Sequence, residues 1–363
     1  MVATTTHLYR SIHAQPDAIR ALLNDWETPK QAARRLANTG RILLAGIGTS
    51  YHAALVGEYL LRSAGADAWA IRSFEFVNYP RPLRDNDGVI VISHRGSKLF
   101  GARALQRSND AHVLTIGISG KNTKMQGADL LLETVDQDPS STHSISYTAA
   151  LTRLAQVAAC LATLNGHSET ARQLEQGLQQ IPPLMEDILA REDTLYQAAL
   201  EAVQQQRRLV FVGTGPNAPT ASEGALKAKE AAYVTAEGFE LEQFIHGPLV
   251  AFEATDLLIP ISVKSPTQPR LAELLAGISE IGSAVLLLGD FPSEESSSLF
   301  QRDAWSRFSL AHNEQLLEEL TPLLAAVPVQ LLADFLASAR GTKADSFRKD
   351  QEIYNKACLH IPL

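Results

Sequence analysis

Two stretches decide the fold when one is laid over the other: "RILLAGIGTS" (residues 41–50) and "RLVFVGTGPN" (residues 208–217), separated by an offset of 167 residues. Each starts with arginine, runs through four apolar residues and breaks at a glycine-rich turn. Working outward, "DGVIVIS" from Asp87 lies over "DLLIPIS" from Asp256 at an offset of 169, and "HVLTIG" from His112 lies over "AVLLLG" from Ala284 at 172. A long apolar helical pattern ahead of Asn165–Gly166 also lies over one ahead of Arg340–Gly341. Matches in one order with slowly growing offsets are the mark of a tandem duplication.

Within each copy, continuous apolar runs alternate with longer helical patterns. Unbroken apolar strands belong to a sheet buried on both faces, and their alternation with helices implies right-handed crossovers and a parallel sheet. The expected fold class is α/β: a tandem pair of doubly wound, flavodoxin-like parallel-sheet domains. Residues 1–35 read as a helical lead-in in which "PDAIRALLND" forms one amphipathic helix. Residues 36–180 form the first domain, 190–340 the second and 341–363 a C-terminal tail. The join falls near "QQIPPLMED" (179–187), where Pro182–Pro183 is expected to break the helical pattern.

Composition narrows the function. The 363 residues are 45% hydrophobic and 20% charged, with a net charge of -8. No long basic run offsets that charge, so nucleic acid is not the expected partner, and any anion site must be built locally from loops and helix ends. Cys160 and Cys358 lack CxxC spacing, which suits a reducing compartment and leaves no zinc or disulfide framework. "MVATTTHLYRSIHAQPD" has no signal-peptide core, and the run "LTPLLAAVPVQLLA" from Leu320 reads as too short to span a bilayer. The expectation is a cytoplasmic protein with no membrane partner and no metal.

Ligands of such sheets sit beyond the carboxyl ends of the strands. That rule selects "GIGTSYHA" (46–53), "SHRGSK" (93–98) and "SSTHSISYTAA" (140–150) in the first copy. Gly48, Thr49, Ser50, Ser93, His94, Arg95, Gly96, Ser97, Lys98, Ser144 and Ser146 are the candidate binding residues. The first loop lacks the third glycine of GxGxxG and no suitable acidic residue follows, so no dinucleotide cofactor is expected. Hydroxyls at helix starts favour a phosphate monoester; the plainer reading of any single loop is an N-cap.

The second copy replaces "SHRGSK" by the proline-rich "SVKSPTQP" and instead carries "SEGALKAKEAAYVTAEGFELEQFIHGPL" (222–249). On a helix Glu223, Lys227 and Glu230 fall on one face. The plain reading is a solvated ion pair, but Ala221, Gly224, Ala225, Ala228, Ala231 and Ala232 leave the helix so thin that another helix or a ligand approaches its backbone. His246 follows in a turn shaped by Gly247 and Pro248, a context suited to acid–base work.

These residues carry a resemblance. The segment 223–249 resembles E-G-A-L-K-x-K-E-x-x-Y-x-x-A-E…H-G-P of the isomerase half of glucosamine-6-phosphate synthase, in the double sugar isomerase (SIS) domain family. "GIGTSYHAALVGEYLL" looks like that family's first sugar-phosphate loop, "IHAQPDAIRALL" like its lead-in helix, and "GTKADSFRKDQEIYNKACL" like its tail, G-T-x-x-D-x-x-R-x-L-x-K, with extra residues before the lysine. The resemblance implies that Glu230 moves a proton between C1 and C2 of an open-chain sugar phosphate and that Lys227 tunes it. His246 would assist ring opening, reaching into the partner subunit's site of a homodimer. Lys356 would contact the carbonyl or form an imine with it, and the hydroxyl loops would hold the sugar phosphate. No cofactor is implied.

Two departures stand out. The family's loop reads roughly S-Q-S-G-E-T, whereas here Arg95 and Lys98 replace hydroxyl positions, so the anion is expected to be held by charge; the other reading is that Arg95 fills the pocket. The family's glutaminase domain does not precede the lead-in helix, so glutamine hydrolysis is not expected. The expected function is phosphosugar isomerisation or amino-sugar-phosphate deamination. A non-catalytic sugar-phosphate sensor is the alternative, and an enzyme of sugar–amine conjugates a third reading.

Overall fold

The computed structural model describes residues 5–302, 304–310 and 316–361. They divide into an amino-terminal unit, residues 14–139 and 143–182, and a carboxyl-terminal unit holding 5–13, 140–142 and 183–361 among those described. Part of the lead-in therefore goes with each unit: α1 (His7–His13) with the second, α2 (Gln15–Leu22) and α3 (Glu27–Leu36) with the first.

The amino-terminal unit continues through β1 (Arg41–Gly46), α4 (Thr49–Ser63), β2 (Ala68–Arg72), α5 (Ser73–Asn78), β3 (Asp87–Ile92), α6 (Leu99–Asp110), β4 (Leu114–Ser119), β5 (Leu130–Glu133) and α7 (Ile145–Leu164). Its sheet is parallel throughout, in the order β2-β1-β3-β4-β5. All of β3 is buried, because both faces are covered. Val89 and Val91 meet Phe76 and Leu105 on one side. On the other, Gly57 of α4 lies so close to Leu44 and Leu154 that a Cβ there would come within 2.7 Å of Leu44.

The chain goes on through α8 (Ser168–Leu189) and α9 (Asp193–Gln204) to the second sheet: β6 (Leu209–Gly213), α10 (Ala218–Ala232), β7 (Ala236–Glu240), α11 (Leu241–Ile245), β8 (Leu257–Ser262), α12 (Gln268–Ile281), β9 (Ala284–Gly289), α13 (Glu294–Leu299) and β10 (Trp305–Phe308). Helices α14 (Thr321–Arg340) and α15 (Glu352–Leu359) end it. Its order, β10-β9-β8-β6-β7, is that of the first sheet read from the other edge. The duplication extends to a bidentate ion pair tying the starts of the two central strands. Arg41 clasps Asp87 at 3.1 and 2.5 Å, and Arg208 clasps Asp256 at 3.2 and 2.6 Å.

Two expectations are corrected. Pro182–Pro183 does not break the helix: α8 runs through both, because Leu174, Leu178, Ile181, Met185 and Ile188 keep one buried apolar stripe at helical spacing on either side. The apolar run from Leu320 is part of a helix that reaches Arg340, and α7 and the 318–340 segment are long and apolar enough to cross a membrane. In this fold 89% and 100% of their apolar windows are buried inside protein, as core helices.

Candidate active site

At the carboxyl end of the first sheet, the turn from β1 to α4 is so tight that a Cβ on Gly46 would sit 2.3 Å from the Ser50 carbonyl. Gly48, with φ 56° and ψ -129°, caps α4 in a conformation that L side chains avoid. Thr49 and Ser50 thus open a fifteen-residue helix, and Ser146 lies in the first turn of the twenty-residue α7. These three hydroxyls, with His94, Ser119, Thr134, His143 and Tyr147, line a cavity of about 30 Å³. Two helix N-termini therefore meet a ring of hydroxyls and imidazoles, a setting that favours an anion.

His94 is the informative member. The Asp138 N–H donates to its Nε2 at 3.0 Å, so that nitrogen carries no proton and the neutral ring bears it on Nδ1. Nδ1 is buried and has no hydrogen-bond partner among the described residues. Burial, and then the Arg95 charge, push the His94 pKa down to about 4, so the ring is neutral at pH 7. The His143 ring meets it edge-on at 5.6 Å, and Asp138 in turn accepts the Ser144 N–H at 2.9 Å. Ser144 is fully buried as the N-cap position of α7. Ser93 is buried beside Gly101, and Gly96 closes the loop by donating its N–H to the Ser93 carbonyl. Arg95, Ser97 and Lys98 are exposed and do not line the cavity, because the Gly96 turn (φ 66°) swings the loop outward. A larger cleft of about 630 Å³ lies between α3, α7 and α8, lined by Trp26, Lys30, Arg34, Cys160 and Glu175 among others.

In the carboxyl-terminal unit, α10 answers the question raised by its small residues. Ala221, Ala225, Ala228, Ala231 and Ala232 are buried, and α14 packs against them. A Cβ on Gly224 would lie 3.1 Å from Val329 of α14 and 2.9 Å from Phe211. On the next strand, a Cβ on Gly238 would lie 2.6 Å from the Ala221 carbonyl. It is protein that comes close, on one face of the helix.

On another face Lys227 is buried between two carboxylates. Its Nζ lies 3.4 Å from Glu223 Oε1 and 2.5 Å from Glu230 Oε2. Burial alone would strip its proton, but Glu223 and Glu230 outweigh burial and hold its pKa above the ordinary value. Glu223 is wholly buried while the Glu230 side chain is 15% exposed, so of the two carboxylates Glu230 is the one that meets solvent. A fixed, partly exposed carboxylate on a helix can accept a proton from a ligand that reaches it.

His246 and Lys356 are not gathered beside it in the same way. His246 ends α11 with its side chain 74% exposed, its Nε2 3.2 Å from Glu242. The Arg270 guanidinium holds that Glu242 carboxyl below its usual range. Gly247 (φ 141°) turns the chain into Pro248, and Val250 beyond it is 92% exposed. Lys356 lies on α15, 70% exposed and 2.6 Å from Glu352. Among the described residues no group of three or more His, Cys, Asp or Glu is placed to hold a metal ion. His143 and Tyr147 lie in the segment 140–150 singled out in the sequence, though neither is a named candidate there. Sequence reasoning missed Ser119 and Thr134, which line the cavity at the ends of β4 and β5, and Asp138, which bonds His94.

The SIS domain model matches residues 35–164 and 202–299. With two sheets of the same topology and a hydroxyl-lined cavity beyond the strands, this chain belongs to the SIS domain family of α/β proteins. It is similar to a glutamine--fructose-6-phosphate aminotransferase [isomerizing] of Thermococcus kodakarensis, 30% identical over 94% of this chain and 56% of that protein. The chain spans a little over half the length of that relative. Among solved structures it superposes on the C-terminal domain of a glucosamine-fructose-6-phosphate aminotransferase from Francisella tularensis, with a TM-score of 0.85, 20% identity and coverage of 94% and 98%. A glucosamine-6-phosphate deaminase from Thermotoga maritima gives a TM-score of 0.71, 19% identity and coverage of 94% and 97%.

Proposed function

We propose that this chain moves a proton between C1 and C2 of an open-chain phosphosugar, as an aldose–ketose isomerase or an amino-sugar-phosphate deaminase. The observation that carries the reading is the Glu223–Lys227–Glu230 triad: a buried ammonium flanked by two carboxylates, of which only Glu230 reaches solvent. Glu230 takes the proton from one carbon and returns it to the other through an enediolate or imine. Lys227 keeps Glu230 oriented and ionised. The relatives' own names support this reading, since they include an isomerizing aminotransferase and a deaminase of sugar phosphates.

The hydroxyls of Thr49, Ser50 and Ser146 with the neutral His94 suit a phosphate group, and Gly48 shapes their turn. His246 opens the ring, and its outward position suits a homodimer in which it serves the partner subunit's site. Lys356 meets the carbonyl when the tail folds inward. Proton transfer of this kind needs a base, a relay and a cation, which these side chains supply without a cofactor. The cysteine usage suits a cytoplasmic protein. The test is ammonia and fructose 6-phosphate production from glucosamine 6-phosphate, with Glu230→Gln as control. Turnover should fall by about 10²–10⁴-fold in the variant while thermal stabilisation by the sugar phosphate persists. Loss of binding together with turnover removes Glu230 as the base. Binding without turnover in the wild type turns the reading to a sensor.

A further inference from the structure

Three of the non-glycine residues with left-handed backbone meet at one point: Tyr233 (φ 56°), Phe347 (φ 52°) and Arg348 (φ 61°). Such conformations persist only where surrounding contacts hold them. Tyr233 caps α10, three residues beyond Glu230, with its N–H bonded to the Lys229 carbonyl. Its hydroxyl donates to the Lys343 carbonyl at 2.9 Å, lies 2.9 Å from Ser346 Oγ and accepts the Arg348 N–H at 3.1 Å. The Arg348 guanidinium stacks over the Tyr233 ring at 5.0 Å and over the Tyr354 ring, in the first turn of α15, at 3.7 Å.

The segment just before Arg348 is pinned on its other sides. Thr342 Oγ1 donates to the Ala231 carbonyl at 2.9 Å, in the last turn of α10. The Asp345 carboxylate accepts the N–H groups of His7 and Leu8 at 2.7 and 2.9 Å, capping α1. Gly341, Thr342, Asp345 and Arg348 are the residues of the G-T-x-x-D-x-x-R pattern in the tail, and each makes one of these contacts or turns. Beyond Arg348 the stack on Tyr354 leads into α15. Helix α15 has no buried residue, Glu352 stands four residues after Arg348, and Lys356 lies one helical turn further on, paired with Glu352.

We propose that Tyr233 is a positioning residue that fastens the C-terminal segment to the end of the helix carrying Glu230, and that Arg348, gripped between Tyr233 and Tyr354, is the cation that steers α15 and its Lys356. The inference rests on the reading of Glu230 and Lys356 as catalytic, and it adds the part that aims one at the other. The Tyr233 hydroxyl joins three tail groups at once, so removing one oxygen loosens the tail at Arg348 without emptying a core site, while the Thr342 and Asp345 contacts remain. Because the aromatic ring remains, the guanidinium stack on Tyr233 alone does not replace those hydrogen bonds.

The experiment uses Tyr233→Phe, Arg348→Ala and Arg348→Lys in the full chain. Hydrogen exchange of the α15 amides reads the latch, and kcat and KM for glucosamine 6-phosphate read its consequence. In Tyr233→Phe, exchange in α15 should rise about five-fold while the sheets exchange as in wild type. The kcat should fall about ten-fold with KM within about two-fold, the signature of a contribution made after binding. Arg348→Lys should recover part of the loss seen in Arg348→Ala. Unchanged α15 exchange in Tyr233→Phe overturns the proposal. So does a parallel loss of kcat, KM and global stability, which marks a merely structural tyrosine. A wild type that turns over no phosphosugar defeats the catalytic reading and the steering built on it, while the exchange data still decide whether the latch exists.

Discussion

The two copies of the repeat share strand order, register and even the Arg–Asp clasp at the start of their central strands, yet their carboxyl edges have diverged. In the first, the switch point between β1 and β3 opens on a cavity edged by Thr49, Ser50 and His94, where a buried imidazole N–H has no partner among the described residues. In the second, several polar groups pair with one another, while Asn217 Oδ1, Thr220 Oγ1 and Ser262 Oγ stay buried without a hydrogen-bond partner among the described residues. Thr267 Oγ1 donates to Thr214 Oγ1 at 2.8 Å, and the wholly buried Asn217 donates to Thr321 Oγ1 at 2.7 Å. Its ionic chemistry has moved one layer away, onto the face of α10. Both copies pack this helix closely, Gly57 of α4 against Leu154 of α7 and Gly224 of α10 against Val329 of α14, but the first edge holds a polar-lined cavity while the second copy buries a charge on α10.

The comparison breaks most visibly at Lys227. Removing the ammonium leaves two carboxylates facing each other, one of them fully buried, and breaking a buried ion pair of this kind costs about 3–5 kcal/mol. Lys227→Met should show that loss in urea unfolding. A loss below about 1 kcal/mol would mean that Glu223 is held protonated and that α10 is not an ionic device.

The shared clasps offer a smaller effect with a built-in control. Asp87→Asn and Asp256→Asn each remove a charge-assisted bidentate bond, worth about 1.5–3 kcal/mol. The larger loss should fall on Asp87, whose side chain is fully buried against 7% exposure for Asp256. Burial would raise the Asp87 carboxyl, but Arg41 and the Arg84 N–H outweigh it and hold its pKa below the ordinary 3.8. A depressed carboxyl stabilises the fold above its unfolded pKa and loses that contribution as the pH falls through the native value. Wild type should therefore lose stability as the pH drops below about 4, and Asp87→Asn should lose less over the same window. Equal acid limbs would show that the first clasp carries no linked proton.

How far the sequence could lead is visible in these same residues. Continuous apolar strands, the repeat and the small-residue helix are written in period and composition, so the fold and α10 were legible. Glu223, Lys227 and Glu230 share a face by helical spacing alone. What spacing cannot give is burial: it left open whether Lys227 was solvated, and only the fold shows it fully buried. The phosphate loop shows the same limit. Arg95 and Lys98 look like anion ligands as letters, but the left-handed turn at Gly96 sends them outward, and a histidine set by the Asp138 backbone N–H stands in the cavity instead. Tyr233 and Arg348 lie 115 residues apart, and no local pattern links them.

The smallest effect tests which copy holds the anion and how. If the cavity of the first copy binds phosphate through the Nδ1–H of a neutral His94, His94→Ala should weaken glucosamine 6-phosphate binding about ten-fold, or about 1.4 kcal/mol. His94→Gln, which keeps an N–H donor, should recover much of it. Arg95→Ala should change affinity by less than about two-fold at physiological salt, since an exposed guanidinium is screened there. The pH dependence separates the cases further. His94 titrates at about 4 in the fold against an ordinary 6.5, so acid favours the unfolded chain, and stability should fall as the pH drops from 6.5 toward 4. His94→Gln should flatten that limb. Calorimetric titration in which Arg95→Ala loses more affinity than His94→Ala would return the anion to the exposed cations and erase the contrast between an open edge and a closed one.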